Sequence, residues 1–520
     1  MSKNSVPDSS PTFIKALCEL YSCNLVETHI SWVLLTGQYA YKIKKPVNFG
    51  FLDFSTLEQR RYCCNEELRL NKRLAPEIYL EVLPITGTAL HPQFGGDGLA
   101  IDYAVKMIQF PARKLLTEYV NRGHLNTDHI DQLADCVADF HSAINPAGKD
   151  SPYGENADIN HWFVENFDHI RPLLVDNTQK QQLQRLQDWD NSESHKLANL
   201  MELRKQQGYV RECHGDLHLG NMTLINDRII LFDCIEFNPM LRWIDVISEV
   251  AFLFIDLQHF GYSNYAYRFL NRYLQNTGDY KGLALLPYYL VYRALVRAKV
   301  TLLRQIQQAE DEAAVKQSND DYLIYANLAE HFTKPQQTAL IITHGYSGSG
   351  KSTLAGELAE NIGAFQIRSD IERKRLFSYL PLAQTDSNID SGLYSQQASL
   401  HTYQYLKELA NVVLEAGFPV IIDATFLKKA QRDMFKQLAT DCCVPFHIIS
   451  FQASDRTLRN RVEQRQNDAS EATVDVLHHQ QQSAQPLSTQ EQANVLVINT
   501  ENEDALKLLL NHFDRYLQES

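Results

Sequence analysis

Two stretches of this 520-residue chain hold residue types at spacings that suit chemistry on phosphate groups. The first is Gly345-Tyr346-Ser347-Gly348-Ser349-Gly350-Lys351-Ser352-Thr353, which satisfies GxxxxGK[ST] in full. Its glycines let the backbone close on an anion with successive N–H groups turned inward, and the helix that follows adds its positive N-terminal end. In this pattern the lysine, Lys351, reaches the β- and γ-phosphates of ATP, and the hydroxyl of Ser352 ligates Mg²⁺. The apolar run ALIITH from Ala339 leads in as a strand and Thr353-Leu354-Ala355 leads out as a helix, which is the setting the motif requires.

The second stretch is Cys213-His214-Gly215-Asp216-Leu217-His218-Leu219-Gly220-Asn221, followed by Leu231-Phe232-Asp233-Cys234-Ile235-Glu236. At this spacing Asp216 would accept the proton of an attacking hydroxyl, while Asn221 and Asp233 would hold Mg²⁺ against ATP phosphates. A loop, a strand, a turn at Asn226-Asp227 and a second strand can fold Asp233 back beside Asn221, which one helix cannot do. Any one of these acids alone would read as a turn or a cap.

Two further acids follow apolar strands of the C-terminal part: Asp423 after Pro419-Val420-Ile421-Ile422, and Asp370 in Arg368-Ser369-Asp370-Ile371-Glu372-Arg373-Lys374. Ligands of open α/β sheets bind beyond the carboxyl ends of strands, so both acids point at the site. Helix capping is the alternative for each, since Ser and Asp are good caps. Arg456, Arg459, Arg461 and Arg465 share one helix, and Arg461 and Arg465 share a face. They read either as cations that close over a transferring phosphate or as a solvated face. Arg293, Arg297 and Lys299 read as a solvated helix stripe, with an anionic acceptor site as the alternative. Tyr288-Tyr289-Leu290-Val291-Tyr292 reads as core.

The positioning elements follow from periodicity. Residues 29–35 and 39–45 form two strands around Thr36-Gly37-Gln38, and Ser55-Thr56-Leu57-Glu58 is a capping box opening a helix toward Pro76. Residues 79–85 and 99–108 add strands; after Leu116 the pattern is helical apart from short strands around 209–233. A helix at 285–305 and another ending near Phe332 precede the polar stretch 333–337, read as the linker between 1–332 and 338–520. Beyond it, strands near 338–343, 364–368, 419–423, 446–451 and 494–498 alternate with helices, which implies a parallel sheet. The glutamine-rich stretch from Gln480 to Gln492 reads as a loop.

Composition bounds the class. Apolar residues make up 44% and charged residues 22%, as in an ordinary globular protein, and 63 acidic against 49 basic residues give a formal charge of −14. No apolar run reaches 18 residues, so no membrane span is expected. The start MSKNSVPDSSP lacks a secretory layout, and nine cysteines without CxxC fit reduced thiols in a cytoplasmic protein.

The region 338–500 resembles the P-loop small-molecule and polynucleotide kinases, including the zeta-toxin and gluconate-kinase-like group, through GYSGSGKST, SDIERKRL, IIDATF, LRNRVEQR and DASEA. That resemblance makes Asp370 the base for an acceptor hydroxyl and Arg461 or Arg465 a lid arginine. The region 25–330 resembles the aminoglycoside and choline kinase superfamily, relatives of protein kinases. The residues that carry this are HGDLHLGN, AYKIKKPVNFGFLDF, NKRLAP, FDCIEFN, IDVISEVAFL and YRALVRAKV. It is similar to a bacterial family that fuses such a domain to a P-loop kinase. By this resemblance Lys42 holds the α- and β-phosphates, Glu67 (or Glu66) is its ion-pair partner, and Asp102 to Ile108 lead into the segment that holds adenine. The sequence departs from the pattern in lacking GxGxxG before Lys42, and in having Glu249 where Asp is expected.

The expected architecture is α/β and α+β, a bilobal protein-kinase-like domain followed by a P-loop NTPase domain with a parallel sheet. The expected activity is ATP- and Mg²⁺-dependent phosphoryl transfer to a small hydroxylated acceptor. A 5′-hydroxyl polynucleotide kinase and a regulatory ATPase switch are the alternatives, with a degenerate first domain serving as a scaffold a third; oligomeric state is not legible. A negative chain lacks the long-range field that draws polyanions. Fluorescence titration with 5′-hydroxyl DNA and RNA should therefore give little binding at either low or moderate salt. A protein neutralising about six phosphates would instead lose roughly 10³ or more in affinity between about 50 and 200 mM.

Overall fold

The computed structural model describes residues 10–50, 52–307, 312–380, 395–465 and 469–519. The chain falls into two compact units: Met1–Gln132, Ala143–Trp162 and Lys196–Asp256 form one, and Leu133–Ser142, Phe163–His195 and Leu257–Ser520 the other.

The first unit is organised by an antiparallel sheet in the order β1-β2-β3-β6-β4-β5. Its strands are β1 (Asn24–Glu27), β2 (Ser31–Leu35), β3 (Tyr39–Lys44), β4 (Tyr79–Gly87), β5 (Pro92–Phe94) and β6 (Asp102–Ile108). Side chains alternate across a strand. Tyr41 and Ile43 of β3 therefore join Trp32, Leu34, Ile85 and Ala104 in a core on one face. Ala40 lies on the opposite face with Cys64, Ile78, Val105 and Met107, and Lys42 and Lys44 share its side of the strand. The helix Leu57–Asn71 packs along that face. Its cap lies one residue later than the sequence pattern implied: Thr56 accepts the Gln59 N–H, and the Gln59 side chain bonds back to Thr56 and Asp53.

Four short strands complete this unit: β7 (Val210–Glu212), β8 (Met222–Ile225), β9 (Arg228–Leu231) and β10 (Trp243–Asp245). β8 and β9 form a hairpin closed by Asn226 and Asp227, both with positive φ, as a two-residue turn of the primed type needs. β7 pairs with β10.

The second unit contains a sheet in the order β12-β13-β11-β14-β15, every ladder parallel. The strands are β11 (Leu340–His344), β12 (Phe365–Arg368), β13 (Val420–Asp423), β14 (Phe446–Gln452) and β15 (Val495–Asn499). Leu340–Ile342 and Val420–Ile422 are buried throughout, the continuous apolar reading of strands covered on both faces. The helices Ser263–Thr277, Leu286–Gln307 and Glu312–Phe332 belong to the same compact unit. The stretch 333–337 thus joins two parts of one unit, because the helix Ser263–Thr277 packs on the helix Lys351–Ile362 and on β12.

Two local readings change. The helix Val474–Ser483 takes up the start of the glutamine-rich stretch, leaving the loop to follow Ser483. The stripe on Leu286–Gln307 is no solvated face: Arg293 is buried, Arg297 donates to the Tyr325 hydroxyl at 3.1 Å, and Lys299 lies 3.8 Å from Glu165. Tyr288, Tyr289 and Tyr292 are buried as expected, with the Tyr288 hydroxyl donating to Asp190 at 2.9 Å. Among the described residues no helix is long and apolar enough to cross a membrane.

Candidate active sites

In the first unit, β3 delivers two lysines to the helix Leu57–Asn71. Lys42 Nζ lies 2.9 Å from Glu67 Oε1 and also contacts Asp233. Two residues on, and therefore on the same face, Lys44 contacts both Glu67 and Glu236. Charges alternate along the chain Glu236–Lys44–Glu67–Lys42–Asp233, whose most exposed member is Asp233, its side chain 37% exposed. Burial on its own would depress both lysines, but the carboxylates hold Lys42 well above its ordinary range and raise Lys44 too. Against the same burial, the two ammonium groups bring Glu67 down to about 2. Glu66, the alternative partner of Lys42, instead pairs with Arg69 at 2.8 Å and Arg242 at 3.2 Å.

Asp233 has φ +68°, an uncommon conformation for a residue with a side chain, and such strain concentrates at functional positions. Its N–H donates to the Tyr79 hydroxyl at 3.2 Å, and the next N–H, of Cys234, donates to Asn71 Oδ1 at 2.9 Å.

The loop around Asp216 is fixed from below by one helix, Val246–His259. Glu249 accepts the N–H groups of His214 (2.6 Å) and Gly215 (2.9 Å), and Asp256 accepts that of Leu219 (2.9 Å). Gly215 has φ +87°, and a Cβ there would meet the Leu241 carbonyl at 2.9 Å, so the position demands glycine. Asn221 Nδ2 donates to Asp216 Oδ2 at 2.9 Å, and His218 Nε2 lies 3.3 Å from the same oxygen. His214 Nε2 is 2.8 Å from the Phe232 carbonyl, while its Nδ1 accepts the Asp216 N–H at 3.3 Å. Asp102, at the start of β6, pairs with Arg60 at 2.9 Å. The turn Thr36-Gly37-Gln38 is pinned to the end of β6, since Gly37 N–H donates to Gln109 Oε1 and Gln109 N–H to the Gln38 carbonyl.

In the second unit, β11 feeds the loop 345–350 and the helix Lys351–Ile362. Gly348 has φ +83° and Gly350 φ +81°; a Cβ on Gly348 would meet the Leu458 carbonyl at 2.6 Å. Lys351 folds back over its own loop, donating to the Tyr346 carbonyl at 2.7 Å with Ser349 Oγ at 3.5 Å. Burial lowers its ammonium to about 8, a fall that Asp423 and Asp370 only partly oppose and that Arg465 reinforces. The Ser352 side chain favours the ionised form of Asp423, and Thr353 is exposed in the first turn of the helix.

Asp423 ends β13, and burial raises its carboxyl against the pull of Arg368, Ser352 and Lys351. Asp370 lies in the first turn of the helix Ser369–Leu376, whose cap residue is Arg368; neither Ser369 nor Asp370 caps it. Arg461 donates to Thr500 Oγ1 (2.9 Å) and reaches the Gly348 carbonyl (3.4 Å), so it braces the loop. Arg456 and Arg459 are exposed, and the helix Asp455–Glu463 ends before Arg465, which therefore does not share a helical face with Arg461. Asp468, in the motif DASEA, lies outside the described residues.

A family model described as an AAA domain matches residues 340–487. Over 450 residues the chain is 30% identical to Uncharacterized protein Rv2004c of Mycobacterium tuberculosis, a match spanning 86% of this chain and 88% of that protein. The chain belongs to that family. Uncharacterized protein Mb2027c of Mycobacterium bovis matches to the same extent. Among solved structures, a gluconokinase from Sinorhizobium meliloti 1021 is 17% identical, with 35% of this chain and 96% of that one covered and a TM-score of 0.26. The APS kinase CysC of Mycobacterium tuberculosis is 15% identical, with 36% and 100% covered and a TM-score of 0.26. Residues 340–487 of this family member thus match an AAA domain, and the parallel sheet with its glycine loop runs through them.

Several residues at these sites had been given no role by the sequence. Lys44 had a readable signal, because residues two apart in a strand share a face, and so did Asp256, two helical turns beyond Glu249. Gln480 accepts the Ser347 N–H at 2.9 Å from a helix whose sequence reads as loop. Gln366 and Asn271 gave no signal at all.

Two measurements test this electrostatic picture. Lys44→Met leaves Glu67 and Glu236 facing each other in a buried site, and breaking a buried pair costs about 3–5 kcal/mol. The thermal midpoint should fall. Glu236, already raised by burial, would rise further, so the folded variant binds the extra proton and its deficit should shrink as pH falls. At the other site, an anion should restore the proton that Lys351 loses above pH 8. ATP binding should therefore take up close to one proton at pH 9 and almost none at pH 7, read from calorimetry in buffers of different ionisation heat. Affinity should fall by up to about tenfold per pH unit above 8. Flat affinity from pH 7 to 9.5 would refute the depressed lysine.

Proposed function

We propose that the protein is an ATP- and Mg²⁺-dependent phosphotransferase acting on a small hydroxylated acceptor, with one phosphoryl-transfer site in 1–332 and another in 338–520. The observation that carries the reading is Lys351, a buried ammonium in a glycine loop, within the electrostatic reach of Asp423 and Asp370. For the first segment the support is the Lys42–Glu67–Asp233 chain together with the Asn221–Asp216 hydrogen bond. That pairing favours the aminoglycoside- and choline-kinase-like, bilobal reading of this segment.

The donor sets suit magnesium. Ser352 and Asp423 offer oxygen ligands at one site, and Asp233 with Asn221 does so at the other, as a hard cation requires. When bound, Mg²⁺ offsets the negative charge of the donor's phosphates. Lys351 and Lys42 contribute fixed positive charge where the phosphates lie. Asp216 takes the acceptor's hydroxyl proton on its carboxylate, which Asn221 and His218 hold in one orientation through Oδ2. Asp370 has the same role in the second segment, from the first turn of the helix Ser369–Leu376. The −14 formal charge favours a small acceptor over a nucleic acid.

Calorimetry should give two nucleotides per chain, with Lys351→Ala removing one and Asp233→Ala removing the metal-dependent other. One nucleotide per wild-type chain would overturn the two-site reading. With labelled ATP and a metabolite pool as acceptors, Asp216→Asn should lower first-site turnover by about 10² to 10⁴ while ATP affinity stays nearly unchanged. Undiminished turnover would make Asp216 a structural residue, and label on a 5′ end of an oligonucleotide would replace the small acceptor with a polynucleotide.

A further inference from the structure

β12 is an edge of the parallel sheet, and its outer side would present unpaired backbone groups. Phe365 N–H points inward to the Pro419 carbonyl, so the groups of Ala364 and Gln366 point outward. A single side chain meets both. Asn271, on the helix Ser263–Thr277, accepts the Gln366 N–H at 2.8 Å and donates to the Ala364 carbonyl at 3.0 Å. Its carboxamide does for the edge what one residue of a neighbouring strand would do.

The side chain of Gln366 then turns toward the nucleotide loop. Its Nε2 donates to Asp423 Oδ2 at 3.1 Å and to the Ser352 carbonyl at 3.0 Å. Both partners are acceptors, which fixes the orientation of the amide. Gln366 is buried and so is Asp423. Oε1 of the same amide faces Gly356 on the helix Lys351–Ile362, where an added Cβ would come within 3.2 Å. The carboxylate and the serine on which the metal site rests are thus joined by one neutral amide.

The helix that supplies Asn271 is secured along its length. Arg268 pairs with Glu360 at 2.9 Å, Tyr267 packs where a Cβ on Gly363 would lie 3.0 Å from its ring, and Arg375 bonds the Gln275 carbonyl. Glu372, beyond Asp370 on its helix, contacts Arg375 and lies 3.4 Å from the Tyr280 hydroxyl. The same segment therefore holds β12 and the helix bearing Asp370.

We infer that Gln366 is a positioning residue for the metal-binding pair Ser352 and Asp423, and that Asn271 holds Gln366 in register. The helix ahead of the linker is then a working part of the P-loop site. This inference rests on the phosphotransferase reading of that site. In this role Gln366 acts by fixing where the Asp423 oxygen and the first turn of the helix stand.

The test uses the full chain carrying Asp233→Ala, which silences the first site, and reads ATP binding by calorimetry in EDTA and in excess Mg²⁺. Gln366→Met keeps the length of the side chain and removes the donor. In EDTA it should bind ATP within about twofold of its parent, because the glycine loop and Lys351 are untouched. The gain in affinity on adding Mg²⁺ should shrink by about tenfold or more, the usual scale for a hydrogen bond to a charged group. Asn271→Leu should shrink the gain in the same way, and the double variant should lose little more than Gln366→Met alone, as for residues acting through one path. An undiminished Mg²⁺ gain in Gln366→Met overturns the inference, and so does an equal loss in EDTA, which would mark general disruption. Should the parent show no Mg²⁺-dependent ATP binding removable by Lys351→Ala, the reading of the site itself falls instead.

Discussion

An ammonium group taken out of water costs several kcal/mol unless an opposite charge or well-placed acceptors replace its hydration. Lys42, Lys44 and Lys351 are all buried, and the two sites meet that cost in opposite ways. Lys42 and Lys44 interleave with Glu67, Glu236 and Asp233, and carboxylate attraction outweighs burial. Lys351 has a carbonyl and a hydroxyl as near partners, with its carboxylates farther off, and burial outweighs attraction. The first arrangement is complete before any ligand arrives, so β3 and the helix Leu57–Asn71 are locked at a fixed separation. The second is under-compensated and gains most from an incoming anion, which is how a phosphate-binding loop draws its ligand.

That difference explains which features were legible in the sequence. GYSGSGKST is local: its conformation, its positive-φ glycines and its helix follow from consecutive residues, and the structure shows the expected strand, loop and helix. The parallel strands were likewise marked by short apolar runs bounded by polar residues. The hairpin returning from Asn221 to Asp233 followed from apolar runs around Asn226-Asp227. The partner of Lys42 was ambiguous between adjacent glutamates, because helix periodicity read without an anchor leaves the inward face undecided by about one residue. Burial of the 67 position settles it.

What stayed hidden is held by single side chains reaching between distant elements. Asn271 is 93 residues from Ala364, and Gln366 is 57 from Asp423. A polar residue in an amphipathic helix or a short strand has no pattern that distinguishes an outward-facing amide from one that closes a sheet edge. The stretch 333–337 misleads for a related reason. Its composition marks a connection between elements, but composition carries no information on which helices then pack together, and Ser263–Thr277 packs beyond the linker.

The two sites nevertheless share one device. One acid at each site is oriented by a neutral amide: Asn221 donates to Asp216, and Gln366 donates to Asp423. A lysine or arginine in either place would orient the carboxylate as well, and would form a stronger hydrogen bond. It would also stabilise the ionised form, making Asp216 a poorer proton acceptor and competing with a cation for Asp423. An amide fixes direction while leaving the negative charge available. The near partners of Lys42 are Glu67 and Asp233 and that of Lys351 is the Tyr346 carbonyl, while Arg368 stands 3.8 Å from Asp423. The proposed base and the proposed metal ligand would thereby keep their negative charge while their direction is fixed.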